Sequence, residues 1–290
     1  MSDSSSTKPS KARVFWARTS STLVLWGVFI GALVTGSQPM FFILIAGLSF
    51  LGLWEFLAML QQEGKVANAI RSWTLLCAAA YLTLFFFFPD WQTLLDMAAF
   101  FVLAGGVLTM TLVEPVDGRK TLEKIVAPVF GFFYVVFLFN FLTRILQFDN
   151  VDNTHLYIFL GLIVTKFTDM GAYITGTLIG KTKMIPHISP GKTWEGIIGA
   201  VFIAQAGGFV VWWILGEKLD WLLWQDVLIL GFVLPVAAVI GDLAESVFKR
   251  SVSVKDSGKM LPGIGGALDL IDSILFTAPL MYFYLLLKHG

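Results

Sequence analysis

Apolar runs of about twenty residues, separated by short polar stretches, occupy most of the chain. A helix needs roughly 20 apolar residues to cross about 30 Å of hydrocarbon. Applied along the sequence, that length predicts nine transmembrane helices, at about 22–37, 40–60, 72–89, 94–113, 125–146, 155–179, 196–215, 226–246 and 268–287. The sixth and eighth spans hold acids and depart from a plain hydrophobic pattern. The expected fold class is therefore an all-α polytopic membrane protein, with residues 22–290 forming one integral membrane domain.

Residues 1–21 are rich in Ser, Lys and Arg and read as a disordered cytoplasmic tail. A secretory signal would need a small-residue cleavage site and then a soluble chain. Further apolar spans follow instead, so 22–37 reads as the first membrane helix. Composition agrees: 57% of the 290 residues are hydrophobic and 14% are charged, against about 25% charged in soluble domains. The formal charge of zero gives no reason to expect a nucleic-acid partner. The single cysteine, Cys77, lies in an apolar run and reads as a small buried side chain.

The placement of charge says more than its sum. Sixteen of the 20 Lys and Arg residues fall in the tail and in the loops after even-numbered spans. Lys218 and Lys288 lie opposite, and Arg144 and Lys166 fall within spans. By the positive-inside rule the N-terminus is cytoplasmic. The two longest loops on that side, about 180–195 and 247–267, are also the most polar and the richest in Gly and Pro. Such loops carry function more often than mere connection.

Two regions there hold candidate chemistry. The first runs from Lys166 and Asp169 through Gly171, Gly176 and Gly180 to Lys181, and on through Ser189-Pro-Gly-Lys192-Thr193-Trp-Glu195. A lysine and an aspartate three apart in an apolar span share a helix face and are costly unless paired or wetted. They read either as a pair that holds helices together or as part of a site. The glycines read equally as small residues for close helix packing. Ser-Pro-Gly-Lys-Thr has the composition of a phosphate loop but lacks the preceding Gly-x4-Gly and strand.

The second region runs from Gly241-Asp242 through Glu245, Ser246, Lys249, Arg250, Lys255, Asp256 and Ser257 to Asp269 and Asp272. On a helix, Asp242, Glu245, Ser246 and Lys249 share one face. Acidic helix ends flanking a basic loop suit hard cations held through oxygen and a polyphosphate held by the basic residues. Metal-assisted phosphoryl or nucleotidyl transfer fits that chemistry. Topology alone leaves the acids unexplained, because acids contribute little to it.

Gly241-Asp242 to Asp272 resembles the signature of the phosphatidate cytidylyltransferase (CDP-diacylglycerol synthase) family. The matching residues are Ser246-x-x-Lys249-Arg250, then Lys255-Asp256-Ser257, Pro262-Gly263-x-Gly265-Gly266 and Leu268-Asp269-x-x-Asp272. The stretch Asp169-x-Gly-Ala-Tyr with Ser189-Pro-Gly-Lys-Thr-x-Glu195-Gly is similar to a second block of the same family. Together they span roughly 165–275, the expected catalytic region. Ile264 stands where the family usually has His, and Leu270 where it has Arg.

The resemblance implies transfer of a cytidylyl group from CTP to phosphatidate, giving CDP-diacylglycerol and pyrophosphate. It implies Mg²⁺ at Asp242 and Asp269, with Asp272 as a further ligand and room for a second cation. Lys249, Arg250 and Lys255 would hold the triphosphate, aided by Lys181, Lys192 and Thr193. Asp256 joins the expected catalytic set, and Asp169, Ser189, Glu195 and Ser246 the substrate-binding set. A homodimer in the inner (plasma) membrane is implied, with its site facing the cytoplasm. Three other readings stand beside this one: a transferase for another lipid phosphate, a non-catalytic paralogue suggested by Ile264 and Leu270, and a transporter using the intramembrane charges.

Overall fold

The computed structural model describes residues 23–24, 26–149, 151–219, 221–258 and 265–289. The expected tail at 1–21, and Lys259, Pro262, Gly263 and Ile264 of the signature, lie outside them. In hydrocarbon every backbone N–H and C=O must be satisfied by the protein itself, and a helix does so within a single apolar run. Eight helical stretches among the described residues are long and apolar enough to cross a membrane.

A short apolar helix α1, Trp26–Thr35, is followed by α2, Gln38–Gln62, and α3, Asn68–Phe87. A 3₁₀ turn, Pro89–Trp91, leads into α4, Gln92–Leu112. The next span is segmented: α5, Gly118–Gly131, passes through a π-helical stretch, Phe132–Phe137, into α6, Phe141–Leu146. Pro128 inside α5 removes one backbone donor just before the widened turn. The long helices α7 (Thr154–Ile179), α8 (Trp194–Leu215), α9 (Trp224–Ser251) and α10 (Ala267–His289) complete the chain. Eight of the nine expected spans therefore match long helices. The first matches the ten-residue α1, with part of its expected range outside the described residues.

Among the described residues, an antiparallel hairpin between α7 and α8 departs from the helical pattern. Strand β1, Lys183–Ile185, pairs with β2, Ser189–Thr193. The sequence reading has a loop there; the Pro- and Gly-containing Ser189–Thr193 stretch instead forms an edge strand, where a missing proline donor is tolerated.

Helix α10 runs through the core against α2, α6, α7 and α9, while α4 is the least buried long span. Helices α7 and α8 meet closely because Gly171 has no side chain: a Cβ there would lie 2.9 Å from the Ala200 Cα. The same holds for α9 on α10, where a Cβ on Gly241 would lie 2.6 Å from the Asp272 carbonyl oxygen. Gly171 is thus a packing residue, and Gly241 brings the Asp242 segment against Asp272 and Ser273.

Candidate active site

Between the C-terminal halves of α7 and α9 and the first turns of α10, beside the hairpin, lies a cavity of about 440 Å³. Its charged lining is four carboxylates, Asp169, Asp242, Asp269 and Asp272, with a single lysine, Lys192. Ser189, Thr193 and Ser273 add hydroxyls to the same wall.

Each group is positioned by its own element. Lys192 reaches from β2 to α9, placing its Nζ 2.8 Å from Asp242 Oδ2 and donating to the Val239 carbonyl at 3.3 Å. Thr193 ends the strand and caps α8, its Oγ1 accepting the Gly196 N–H at 3.1 Å; this satisfies one of the unpaired donors of the first turn. On the first turn of α10, Asp269 folds back so that Oδ2 accepts the Gly266 N–H at 2.9 Å and the Ser257 N–H at 3.3 Å. Its other oxygen accepts from Lys249 at 2.8 Å. Lys249 also pairs with the fully buried Glu245 one turn back on α9. On α7, Asp169 accepts from Ser273 Oγ at 3.4 Å and lies 3.7 Å from Lys166, whose Nζ also donates to the Leu270 carbonyl at 3.1 Å. Lys166 and Asp169 therefore both tie α7 to α10, and Asp169 also lines the cavity. Asp272 is buried in α10 and accepts its neighbour's Ser273 N–H at 2.5 Å.

Other expected residues stand elsewhere. Arg250 is exposed; its Nε donates to the Ile188 carbonyl at 3.4 Å and Nη1 to the Val254 carbonyl at 3.1 Å, so it tethers the hairpin turn to the end of α9. Glu195 accepts the backbone N–H groups of Lys181 and Thr182, at 3.2 and 3.1 Å, and closes the base of the hairpin. Lys181, Lys255 and Asp256 are exposed, Ser246 is buried in α9, and none of the four lines the cavity. Leu270, the aliphatic departure from the family pattern, packs against the hydrophobic core.

The donor set suits Mg²⁺, a hard cation that takes oxygen ligands. Among the described residues no three His, Cys, Asp or Glu side chains converge into a cage of their own. That is compatible with Mg²⁺, which is usually held by one or two carboxylates and completed by substrate phosphate oxygens and water. Charge points the same way. Among the described residues, Asp169, Asp242, Glu245, Asp269 and Asp272 are accompanied by Lys166, Lys192 and Lys249, a formal excess of two negative charges.

Sequence reasoning passed over Glu55. It is the only charged residue of α2 and is buried, and its Oε2 accepts the Leu268 N–H at 3.1 Å. An isolated acid inside an apolar span is a signal in itself, but nothing in the sequence tells which helix it faces.

The sequence that builds this arrangement has relatives among known proteins. The model of the cytidylyltransferase family matches residues 16–288, including the N-terminal half that the sequence motifs leave uncovered. The phosphatidate cytidylyltransferase of Bacillus subtilis (strain 168) is 33% identical over 264 residues, covering 90% of this chain and 93% of the relative. Uncharacterized protein YnbB of Escherichia coli (strain K12) is 30% identical over 90% of this chain and 84% of its own length. The phosphatidate cytidylyltransferase of Brucella suis biovar 1 (strain 1330) is 31% identical over 94% of this chain and 92% of its own length. With two motif blocks converging on one cavity and similarity running almost end to end, the chain belongs to the cytidylyltransferase family.

Proposed function

We propose that this chain transfers the cytidylyl group of CTP to phosphatidate in the membrane, forming CDP-diacylglycerol and releasing pyrophosphate. The observation that carries this reading is the cavity shared by Asp169, Lys192, Asp242, Asp269 and Asp272, in a family whose relatives in B. subtilis and B. suis bear that name.

The chemistry asks little covalent work of the protein. The phosphate of phosphatidate carries more than one negative charge near neutral pH, so its oxygen attacks the α-phosphorus of CTP without a protein base. The new oxygen–phosphorus bond forms as the bond to the bridging α–β oxygen breaks, and pyrophosphate leaves with that electron pair. Two anions must be brought together, aligned and screened. Lys192 is placed to turn from Asp242 to a triphosphate oxygen, and Lys249 neutralises charge from beneath Asp269. Arg250 sets the hairpin that carries Lys192. Asp242 and Asp269, with Asp272 beside them, would hold Mg²⁺ against the triphosphate, with Asp169 available to a second cation. When bound, the metal supplies charge neutralisation at the phosphates and orients the leaving group.

The basic loops argue that this edge faces the cytoplasm, where CTP is found, and that the N-terminus lies on the same side. The diacyl tails of the substrate would stay among the apolar helices. Residence in the plasma membrane and assembly as a homodimer belong to the same proposal, and cross-linking in native membranes tests the dimer.

The test is conversion of phosphatidate by the purified chain with α-labelled CTP, with Mg²⁺ present and then chelated. Label should enter the lipid only with the metal present. A panel containing other lipid phosphates sets the acceptor: preference for an isoprenoid lipid phosphate over phosphatidate would contradict the proposed substrate.

A further inference from the structure

Glu55 stands on α2, outside both sequence blocks of the catalytic region, yet its carboxylate lies where two parts of the second block meet. Oε2 accepts the Leu268 N–H, in the first turn of α10, at 3.1 Å, and the Ser257 Oγ–H at 3.5 Å. Ser257 and Leu268 lie just before and just after the part of the signature outside the described residues, so one carboxylate joins its two flanks. Both flanks come close to it at a glycine. A Cβ on Gly258 would lie 2.8 Å from Glu55 Cγ, and one on Gly266 would lie 2.6 Å from Glu55 Oε2.

The same two flanks orient Asp269, through the N–H groups of Ser257 and Gly266. Asp269 in turn holds Lys249. A buried carboxylate in an apolar helix is costly unless it is hydrogen-bonded, and here it is bonded to the same two flanks whose backbone N–H groups aim the cavity's acid. We propose that Glu55 is a positioning residue for the transfer reaction: it clamps the Ser257 flank to the first turn of α10 and thereby sets Asp269 and Lys249 at the cavity wall. This inference rests on the reading of the cavity as the cytidylyl-transfer site.

The experiment compares the full-length wild type with Glu55→Ala and Glu55→Gln, purified in lipid and normalised to folded protein. Turnover gives kcat and the KM for CTP, and amide hydrogen exchange reports on Ser257 and Gly266–Asp269. Glutamine keeps an acceptor oxygen for both donors; alanine keeps none. Glu55→Ala should lower kcat about tenfold to a hundredfold, as expected when reacting groups are misplaced, with a smaller change in KM. It should also speed exchange at Leu268 about tenfold. Glu55→Gln should restore both to within about threefold.

Wild-type kcat in folded Glu55→Ala would overturn the proposal, as would a Glu55→Gln variant as defective as the alanine one. If Glu55→Ala does not fold, Gly258→Ala replaces it; its methyl displaces the carboxylate from one side, and unchanged kcat there would also overturn the proposal. Should the wild type fail to convert phosphatidate, the functional reading fails by itself. The exchange measurement still decides the clamp, and equal Leu268 protection in wild type and Glu55→Ala would refute it.

Discussion

Two of the charged clusters in this helical bundle are built differently. Near the start of α4 and within α6, Arg144 pairs with Asp96, one cation to one anion. Tyr81 donates to the same aspartate at 2.9 Å and receives from Asn140 at 3.1 Å. The guanidinium also lies over Phe85 and Phe141, at 4.7 and 5.2 Å. Asp226 and Lys288 repeat the one-to-one pattern at 2.9 Å between the start of α9 and the end of α10. The cavity cluster, by contrast, sets five carboxylates against three ammoniums. Burial alone does not define the two, since the cavity cluster ranges from the buried Glu245 to Asp169, whose side chain is 42% exposed. Stoichiometry does: a balanced pair completes itself, whereas an excess of one sign creates demand for a ligand of the other.

That contrast can be broken most sharply at Asp242 and Asp269. Either acid changed to Asn should lower cytidylyl transfer about 10³-fold while leaving the protein folded and inserted, as read by labelled-CTP turnover and size exclusion. The balanced cluster should respond in the opposite manner. Asp96→Ala leaves Arg144 without its anion and should cost about 3 kcal/mol of stability, measured by thermal unfolding, with turnover per folded molecule unchanged. A smaller effect is expected at Lys192→Met, which removes one charge-assisted contact to the triphosphate and should raise the KM for CTP about tenfold, seen in initial-rate kinetics. Arg250→Ala should be milder still. It loosens the exposed tether between the hairpin and α9 and should lower kcat/KM about threefold.

Much of this architecture is legible in the sequence because a membrane makes hydrophobic length decisive. Eight spans placed by counting apolar residues coincide with α2 to α10, with α5 and α6 sharing one span. The meeting of Asp169 and Lys192 with Asp242, Asp269 and Asp272 is likewise foreshadowed by the two motif blocks. What the sequence hides depends on contacts between distant segments. The hairpin escapes because its five-residue strand Ser189–Thr193 lacks the apolar alternation that marks a strand. Arg250 carries a phosphate-binding motif position, yet its donors go to backbone carbonyls of the hairpin turn and of Val254. Asp96 and Glu55 each read as an isolated acid in an apolar helix; only their neighbours across the bundle, Arg144 and Leu268, show what they hold.

The most direct test of the central claim sets the two clusters side by side in one assay. Wild type, Asp242→Asn and Asp96→Asn, each normalised to folded protein in lipid, are given labelled CTP, phosphatidate and Mg²⁺. The unbalanced cavity is expected to be the reacting site, so Asp242→Asn should lose about 10³-fold in turnover while Asp96→Asn keeps wild-type turnover per folded molecule. Near-normal turnover in folded Asp242→Asn would contradict the claim.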